Sequence, residues 1–240
     1  MYERKYSAAI KRSLMLQIAP VIKLLETQKP EDIEVRLDES PISMTFGRLY
    51  SDTGVAFARV TYQEVTGKSR KADLEDVWMQ EMIAFIREFG GVKIKSITGT
   101  SREIAQRILR DLAETVVIPE GLGIEETSRL LQRSFKRNYV QTTLARARVI
   151  AQTEVLTASN KGSHVGAEEA GAKVKIWQTS GIADPDGKDR HVGYVGLHGQ
   201  ERAMLDKYDV GGYLADFPGD PNLPAGEVVN CKCVETYRII

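Results

Sequence analysis

The sequence Ala147-Arg-Val-Ile-Ala-Gln-Thr-Glu-Val155 lies at the centre of the stretch, residues 142–172, that decides the fold. Apolar residues recur through it at spacings of three and four, which places them on one face of a helix. These residues are Leu144, Ala147, Ala151, Val155 and Ala158. Thr142 or Thr143 is a suitable N-cap, and no proline follows before Pro185. We therefore predict a long helix that serves as a spine for the segments on either side.

Upstream of this spine the pattern is mainly helical. Apolar residues keep helical spacing from about Tyr6 to Glu26, and Pro20 is expected to kink or divide that helix. Ser40-Pro41 is typical of a helix start, with a cap followed by proline at the first position. The segment that follows is predicted to be helical, and a β-hairpin at residues 52–54 is the alternative.

Further helices are predicted between this segment and the spine. One begins at Asp73 and ends at Gly90-Gly91, and the next begins at Thr100 with the spacing of a capping box. Residues 119–123 interrupt the pattern. The helix beyond them could join the spine through residues 138–141.

After Ala172 the sequence changes from helix to strand and loop. Residues 173–178 alternate as a short strand does, and residues 227–238 are typical of a second strand that could pair with the first. Residues 179–226 are rich in glycine, proline and aspartate. So long a stretch of this composition is typical of a functional loop or a partner-binding arm.

These patterns together predict an α+β fold. Its N-terminal region, residues 1–120, is mainly helical. Its C-terminal domain, residues 121–240, contains the spine helix, a small antiparallel sheet and a Gly/Pro-rich loop.

The composition limits the class of protein. The chain of 240 residues has 33 basic and 33 acidic side chains, so its net charge of zero gives no bulk signal for nucleic acid or membrane. The sequence shows no signal peptide and no apolar run long enough to cross a bilayer. Two cysteines without a secretion signal favour a reducing compartment. We therefore expect a soluble, intracellular-type protein.

Two histidines and two cysteines form the first candidate site. His191, His198, Cys231 and Cys233 could supply the nitrogen and sulfur ligands of a tetrahedral zinc ion. On a regular strand, however, alternate residues are about 6.6 Å apart, whereas two sulfurs bound to one zinc are at most about 4.6 Å apart. Buried thiols and histidines that order a loop are the alternative.

No nucleophile turn, phosphate-binding loop or dinucleotide fingerprint accompanies these four residues. We therefore predict no catalytic residues and no cofactor. A metal-dependent hydrolase that uses the two histidines and two cysteines is the alternative function.

Basic residues concentrate between residues 127 and 148, where no acidic residue occurs. They are Arg129, Arg133, Lys136, Arg137, Arg146 and Arg148. Spacings of four and three place the first three on one side of a helix, and Arg137 aligns with Arg148 if the helix is unbroken. Such a surface could follow a phosphate backbone. A solvated helix face, or salt bridges to Glu125 and Glu126, is the alternative.

The motifs of the C-terminal half, taken in order, resemble those of the phage Mu F-like minor head proteins, also called the phage head morphogenesis family. The resemblance covers roughly residues 121–234, and Gln152 stands where the family usually has arginine. The motifs are Ile150-Ala-Gln-Thr-Glu-Val155, Asn160, Trp177, the segment from Asp186 to His191, His198-Gly-Gln200, Phe217-Pro-Gly-Asp220 and Asn230-Cys-Lys-Cys233.

The resemblance implies a minor capsid protein of a tailed double-stranded DNA phage or prophage, acting at the portal vertex inside the head. Its expected partners are the portal protein, capsid or scaffold proteins, and double-stranded DNA bound without sequence preference, with no membrane. Its expected location is the virion, and the host cytoplasm during assembly.

Overall fold

The structure is a computed structural model that describes residues 1–68, 73–115, 123–180 and 196–239. It has a mostly helical α+β fold, which confirms the predicted class. The helices are α1 (Tyr2–Leu24), a 3-10 turn (Pro30–Asp32), α2 (Ser40–Thr66), α3 (Asp73–Thr115), α4 (Ile124–Glu169) and the short α5 (Ala225–Val228). The strands are β1 (Val174–Gln178), β2 (Glu201–Ala203), β3 (Tyr208–Val210), β4 (Tyr213–Ala215) and β5 (Val234–Arg238).

The first two helices begin close to where the sequence predicts. Helix α1 is not divided at Pro20, which lies near its end. Helix α2 begins at Ser40, where the carboxylate of Asp38 accepts hydrogen bonds from the Ser40 backbone N–H (2.9 Å) and hydroxyl (2.7 Å). This helix continues through residues 52–54, which excludes the alternative hairpin.

The predicted end of a helix at Gly90-Gly91 is wrong, because α3 continues through both glycines to Thr115. Glycine lowers the stability of a helix by only about 1 kcal/mol. Buried side chains on either side, such as Phe85 and Ile94, hold the helix in place. Thr100 is not a cap either, because its hydroxyl donates to the carbonyl of Ser96 one turn earlier in the same helix (3.1 Å).

The spine helix is longer than the predicted segment. Helix α4 begins at Ile124, so Thr142 and Thr143 lie inside it and do not cap its start. Their hydroxyls donate to the carbonyls of Asn138 and Tyr139, at 3.1 and 2.6 Å. A threonine inside a helix can donate its hydroxyl to the carbonyl four residues earlier. Both threonines are therefore accommodated within the helix and do not act as caps. The interruption predicted at residues 119–123 lies mostly outside the described residues.

The sheet is antiparallel, with β1 between β2 and β5. The sequence predicts that the strand at residues 173–178 pairs with the strand near the C-terminal end. This pairing is confirmed, since Trp177 of β1 lies opposite Glu235 of β5. The intervening segment is more ordered than predicted in its described part, where β3 and β4 form a separate hairpin. Residues 181–195 lie outside the described part.

The chain forms two compact units that are not consecutive in sequence. The mixed unit comprises residues 1–3, 46–89 and 149–240, and the helical unit comprises residues 4–45 and 90–148. This division differs from the predicted segments 1–120 and 121–240, because α2, α3 and α4 each contribute residues to both units.

The core of the helical unit is formed by buried side chains of α1, α3 and α4 and of the segment between α1 and α2. Phe135 and Tyr139 of α4 stack with their ring centroids 6.1 Å apart. The other buried members are Ile18, Val21, Leu25, Ile33, Val35, Ile104, Ala105, Ile108, Leu109, Leu112 and Leu131. The burial of the members from α1, α3 and α4 at helical spacing explains why these three segments are helices that pack together. Leu25, Ile33 and Val35 belong to the connection between α1 and α2.

In the mixed unit, α2 and α4 cross in close backbone contact. A Cβ atom added to Gly162 would lie 2.1 Å from the carbonyl oxygen of Gly54, and one added to Gly166 would lie 2.2 Å from that of Ala58. Gly54 and Ala58 are four residues apart in α2, and Gly162 and Gly166 are four residues apart in α4. Each pair of small residues therefore lies on one face of its helix. Only small residues allow two helices to approach this closely.

A second feature of the mixed unit is an apolar cluster between the sheet, the hairpin and α4. Trp177 is fully buried, and its ring packs edge-on against Tyr208 with centroids 5.0 Å apart. The remaining members are Leu156, Leu197, Val210, Ala215, Leu223, Val228, Cys231 and Cys233. This cluster holds the C-terminal segments on the spine helix.

Candidate functional site

Asn160 of α4 connects two of the motifs that lie far from it in sequence. Its side-chain amide donates to the backbone carbonyls of Pro218 (2.8 Å) and Cys233 (2.9 Å), and the residue is 2% exposed. Both protons of the amide are therefore used inside the protein. This geometry gives Asn160 a structural role, since it fixes two loops on the spine helix.

The loop at residues 217–220 is held by further hydrogen bonds. Thr157 of α4 donates to the carbonyl of Gly219 (3.1 Å), and Gly219 has φ +81°, a conformation that glycine adopts without strain. The carboxylate of Asp220 accepts from the backbone N–H groups of Asp216 (2.7 Å) and Asn222 (2.8 Å). The Phe-Pro-Gly-Asp motif is thus a turn fastened to α4.

The two cysteines lie in a turn that precedes β5. Asn230 has φ 62°, a left-handed conformation that asparagine tolerates, so it bends the chain before Cys231. The backbone N–H of Cys233 donates to the sulfur of Cys231 (3.4 Å). The predicted strand over residues 227–238 is therefore wrong for the cysteines, and the 6.6 Å spacing of a regular strand does not apply to them.

The thiols are poorly suited to nucleophilic chemistry. Each cysteine is 4% exposed and neither is in a disulfide. A hydrogen bond with Cys231, and then burial, raise the pKa of the Cys233 thiol far above its usual range. A thiol with a raised pKa supplies little of the reactive thiolate at neutral pH.

The predicted metal ligands are not all brought together. His198 is exposed, and its Nδ1 accepts a hydrogen bond from the Thr179 backbone N–H (3.2 Å), whereas both cysteines belong to the buried apolar cluster. His191 lies outside the described residues. Within the described ranges, no three His, Cys, Asp or Glu side chains are grouped so as to hold a metal ion.

The predicted basic surface lies entirely in the helical unit. Because α4 is continuous from Ile124, the alignment of Arg137 with Arg148 holds. Five of the six basic side chains are exposed: Arg129, Arg133, Lys136, Arg137 and Arg148. Arg129 also pairs with Glu125 four residues earlier (2.8 Å), a solvated pair that contributes at most about 1 kcal/mol.

Arg146 differs from the other five because it is committed to the protein interior. Its guanidinium donates to the hydroxyl of Ser101 (2.8 Å) and to the carbonyl of Ile97 (2.5 Å), both in α3. Burial lowers its pKa from the usual value. We therefore assign Arg146 to the packing of the helical unit and not to its basic surface.

The net charge of zero conceals an uneven distribution between the two units. The helical unit contains 18 of the 33 Lys and Arg residues but only 12 of the 33 Asp and Glu residues, so its net charge is +6. The mixed unit carries the opposite net charge of −6. A net positive unit attracts polyanions, and salt weakens that attraction.

Thr153 and Glu154, at the centre of the spine, are both buried, with 6% and 5% exposure. The carboxylate of Glu154 accepts a hydrogen bond from the hydroxyl of Tyr50 in α2 (2.5 Å). Burial, and then the charge of Glu154, raise the pKa of Tyr50 well above its usual range, so this hydroxyl stays a donor. Glu154 thus joins α2 to α4.

A buried polar group around His164 is not indicated by the sequence motifs. His164 Nδ1 lies 3.1 Å from the carboxylate of Glu235 in β5, which also accepts from the hydroxyl of Tyr237 (2.7 Å). Lys175 of β1 is fully buried on the same side of the sheet and donates to the carbonyl of Asp216 (2.6 Å). The sequence shows that His164 and Glu168 are four residues apart and so share one side of a helix. It does not show that His164 contacts Glu235.

Comparison with known proteins gives an alignment over part of the chain. The chain is 35% identical over 147 residues to a protein of Bacillus subtilis (strain 168) named Uncharacterized protein YqbB. The alignment covers 59% of this chain and 46% of that protein, so the chain spans less than half of its relative's length. No protein-family model and no solved structure matches the chain.

Among the described residues, no helix combines the length and the apolar character that a membrane span requires.

Proposed function

We propose that the chain is a minor capsid protein of a tailed phage or prophage, which acts at the portal vertex inside the head and contacts double-stranded DNA without sequence preference. The exposed basic side chains of α4, on a unit of net charge +6, carry the DNA part of this proposal. The portal protein and the capsid or scaffold proteins are the proposed protein partners.

The geometry of the motifs supports a structural role. Asn160, Thr157 and the turn at residues 217–220 use their polar groups to join loops to the spine helix. Side chains whose hydrogen bonds are used in this way are already committed within the protein. The resemblance to the Mu F-like minor head proteins therefore rests on residues that hold a scaffold together.

The spacing of the exposed basic residues suits contact with phosphates. Arg133 and Arg137 are one turn apart on the same side of α4, and Arg129 to Arg148 spans about 28 Å at 1.5 Å per residue. This length is comparable to one turn of a DNA duplex, whose phosphates recur every 3.4 Å along each strand. The contacts would be with the backbone and would carry no sequence information.

Reversing the charges of Arg133 and Arg137 should weaken DNA binding and reduce its dependence on salt. Each lost phosphate contact lowers the slope of log K against log salt by about 1, so the double variant Arg133→Glu/Arg137→Glu should lose about 2 from the slope. The measurement is fluorescence anisotropy with random-sequence duplex DNA at a series of salt concentrations.

The matched control is Lys173→Glu/Lys232→Glu, which makes the same change in net charge at two exposed lysines of the mixed unit. We expect it to leave the slope nearly unchanged. An equal effect of the two double variants would show that total charge, and not the surface of α4, governs binding. Absence of binding by the unaltered protein at low salt would contradict the DNA part of the proposal.

Association with the portal requires a separate experiment. Co-expression of the chain with a portal protein from the same phage or prophage should give a complex that survives size-exclusion chromatography. A chain that elutes apart from the portal and is absent from assembled heads would contradict the capsid part of the proposal while leaving the DNA result intact.

A further inference from the structure

A cleft of about 470 Å³ in the mixed unit contains a histidine that the proposed function does not use. Its lining includes His164 and Glu168 of α4, and Phe217 and Asp220 of the turn at residues 217–220. Lys161, Lys207 and Asp216 also line it, and Lys207 pairs with Asp216 (3.3 Å). The imidazole packs 5.8 Å from the Phe217 ring, measured between centroids. His164 is thus held in a polar cleft whose walls are partly aromatic.

The orientation of the imidazole is fixed from behind by a buried carboxylate. Glu235, whose side chain is fully buried, lies 3.1 Å from His164 Nδ1 through its Oε2. The hydroxyl of Tyr237 donates to the same oxygen, which supports the carboxylate in its acceptor role. Because a carboxylate accepts hydrogen bonds, Nδ1 of the neutral imidazole carries the proton, which leaves the lone pair on Nε2.

The other ring nitrogen has a second carboxylate beside it. His164 Nε2 lies 3.7 Å from Oε1 of Glu168, four residues later on α4. Zinc binds nitrogen at about 2.0–2.1 Å and carboxylate oxygen at about 2.0–2.2 Å, so two such ligands can be at most about 4.3 Å apart. The Glu168 side chain is 43% exposed, so it can adjust to a tetrahedral angle.

We propose that His164 Nε2 and Glu168 form a binding site for a divalent transition-metal ion, with Glu235 as the residue that orients the histidine. A histidine that donates its other N–H to a carboxylate is the usual arrangement at zinc sites. This placement is independent of His191, His198 and the two cysteines.

The site would hold the ion with two protein ligands and leave its other positions to water. Among the described residues no group of three or more His, Cys, Asp or Glu side chains is placed to hold a metal ion, so water would have to fill the remaining positions. Imidazole combined with carboxylate suits zinc and neighbouring transition metals better than calcium, which takes oxygen ligands. An ion held in this way is open to exchange with the solvent in the cleft.

The test uses the full chain, without a histidine tag, titrated with Zn²⁺ by calorimetry and with Co²⁺ by visible absorption. We expect one ion per chain. Glu168→Gln should abolish the Co²⁺ absorption band, and Glu235→Gln, which leaves both ligands in place, should weaken affinity about 10- to 100-fold.

Two controls make the result specific. Glu169→Gln removes the same charge from the next exposed position of α4 and should bind the ion normally. His198→Ala tests the alternative site and should also bind normally. Thermal unfolding of each variant shows whether it is folded, and Glu168 is exposed enough for its replacement to be tolerated.

Three outcomes would overturn the proposal. The first is the absence of stoichiometric binding by the unaltered chain. The second is normal binding by Glu168→Gln. The third is loss of binding in His198→Ala, which would place the ion at the histidines and cysteines instead.

Discussion

Replacing Gly162 with alanine is expected to destabilise the mixed unit strongly. The new Cβ would lie 2.1 Å from the carbonyl oxygen and 2.7 Å from the Cα of Gly54. These are backbone atoms of a neighbouring helix, so they can move only if α2 moves with them. Overpacking of this kind costs about 3 kcal/mol or more at its upper end.

The measurement is thermal unfolding followed by circular dichroism. A loss of about 3 kcal/mol in a protein of this size lowers Tm by roughly 10 °C. The matched control is Gly91→Ala in α3, where an added Cβ meets nothing within 4 Å. That variant should be stabilised by about 0.5–1 kcal/mol, since alanine favours a helix over glycine. Equal Tm values for the two variants would show that α2 and α4 do not cross as described.

The second large effect is expected at Asn160. Asn160→Ala removes the donors to the carbonyls of Pro218 and Cys233 and leaves both acceptors buried. Each buried group left without a partner costs about 1–3 kcal/mol, so the loss of stability should be roughly 2–6 kcal/mol. Asn160→Asp, of nearly the same size, should be at least as harmful because a carboxylate cannot donate to the two carbonyls.

Thiol reactivity can locate this effect within the chain. Cys231 and Cys233 are nearly inaccessible in the unaltered protein, so both should react slowly with a thiol reagent such as DTNB. In Asn160→Ala the loop that contains Cys233 is released, and both thiols should react much faster under native conditions. Asn222→Ala, at an exposed position in the neighbouring turn, should change stability by less than about 0.5 kcal/mol and leave the thiols protected. Slow thiol reaction in Asn160→Ala would contradict the proposed role of its amide.

The sequence predicts the buried face of the spine helix well but not its length. Ala147, Ala151, Val155 and Ala158 are buried as expected, whereas Leu144 is 49% exposed. The periodicity of apolar residues shows which side of a helix is buried, even when the segment that packs against it is not known. The ends of helices depend on competition between caps and tertiary contacts, which is why the stops at Gly90-Gly91 and the caps at Thr142 and Thr143 were wrong.

Long-range contacts set the limit of what could be predicted at the sites. His164 and Glu235 are separated by 71 positions, and Asn160 and Cys233 by 73. Nothing in a local pattern indicates that these pairs meet. The glycines at positions 54 and 162 are typical of weak points in a helix, although in the structure they are the places where two helices touch. Charge, in contrast, can be read locally, and five of the six basic side chains of α4 are exposed, whereas Arg146 is half-buried against α3.

The antiparallel pairing of β1 with β5 has a consequence for the order of events during synthesis. Residues 233–238 supply both the outer strand of the sheet and the carbonyl that Asn160 binds. The sheet and its apolar cluster therefore cannot close until these residues have left the ribosome. The helical unit ends at residue 148, so all of it has been synthesised before the residues that close the sheet.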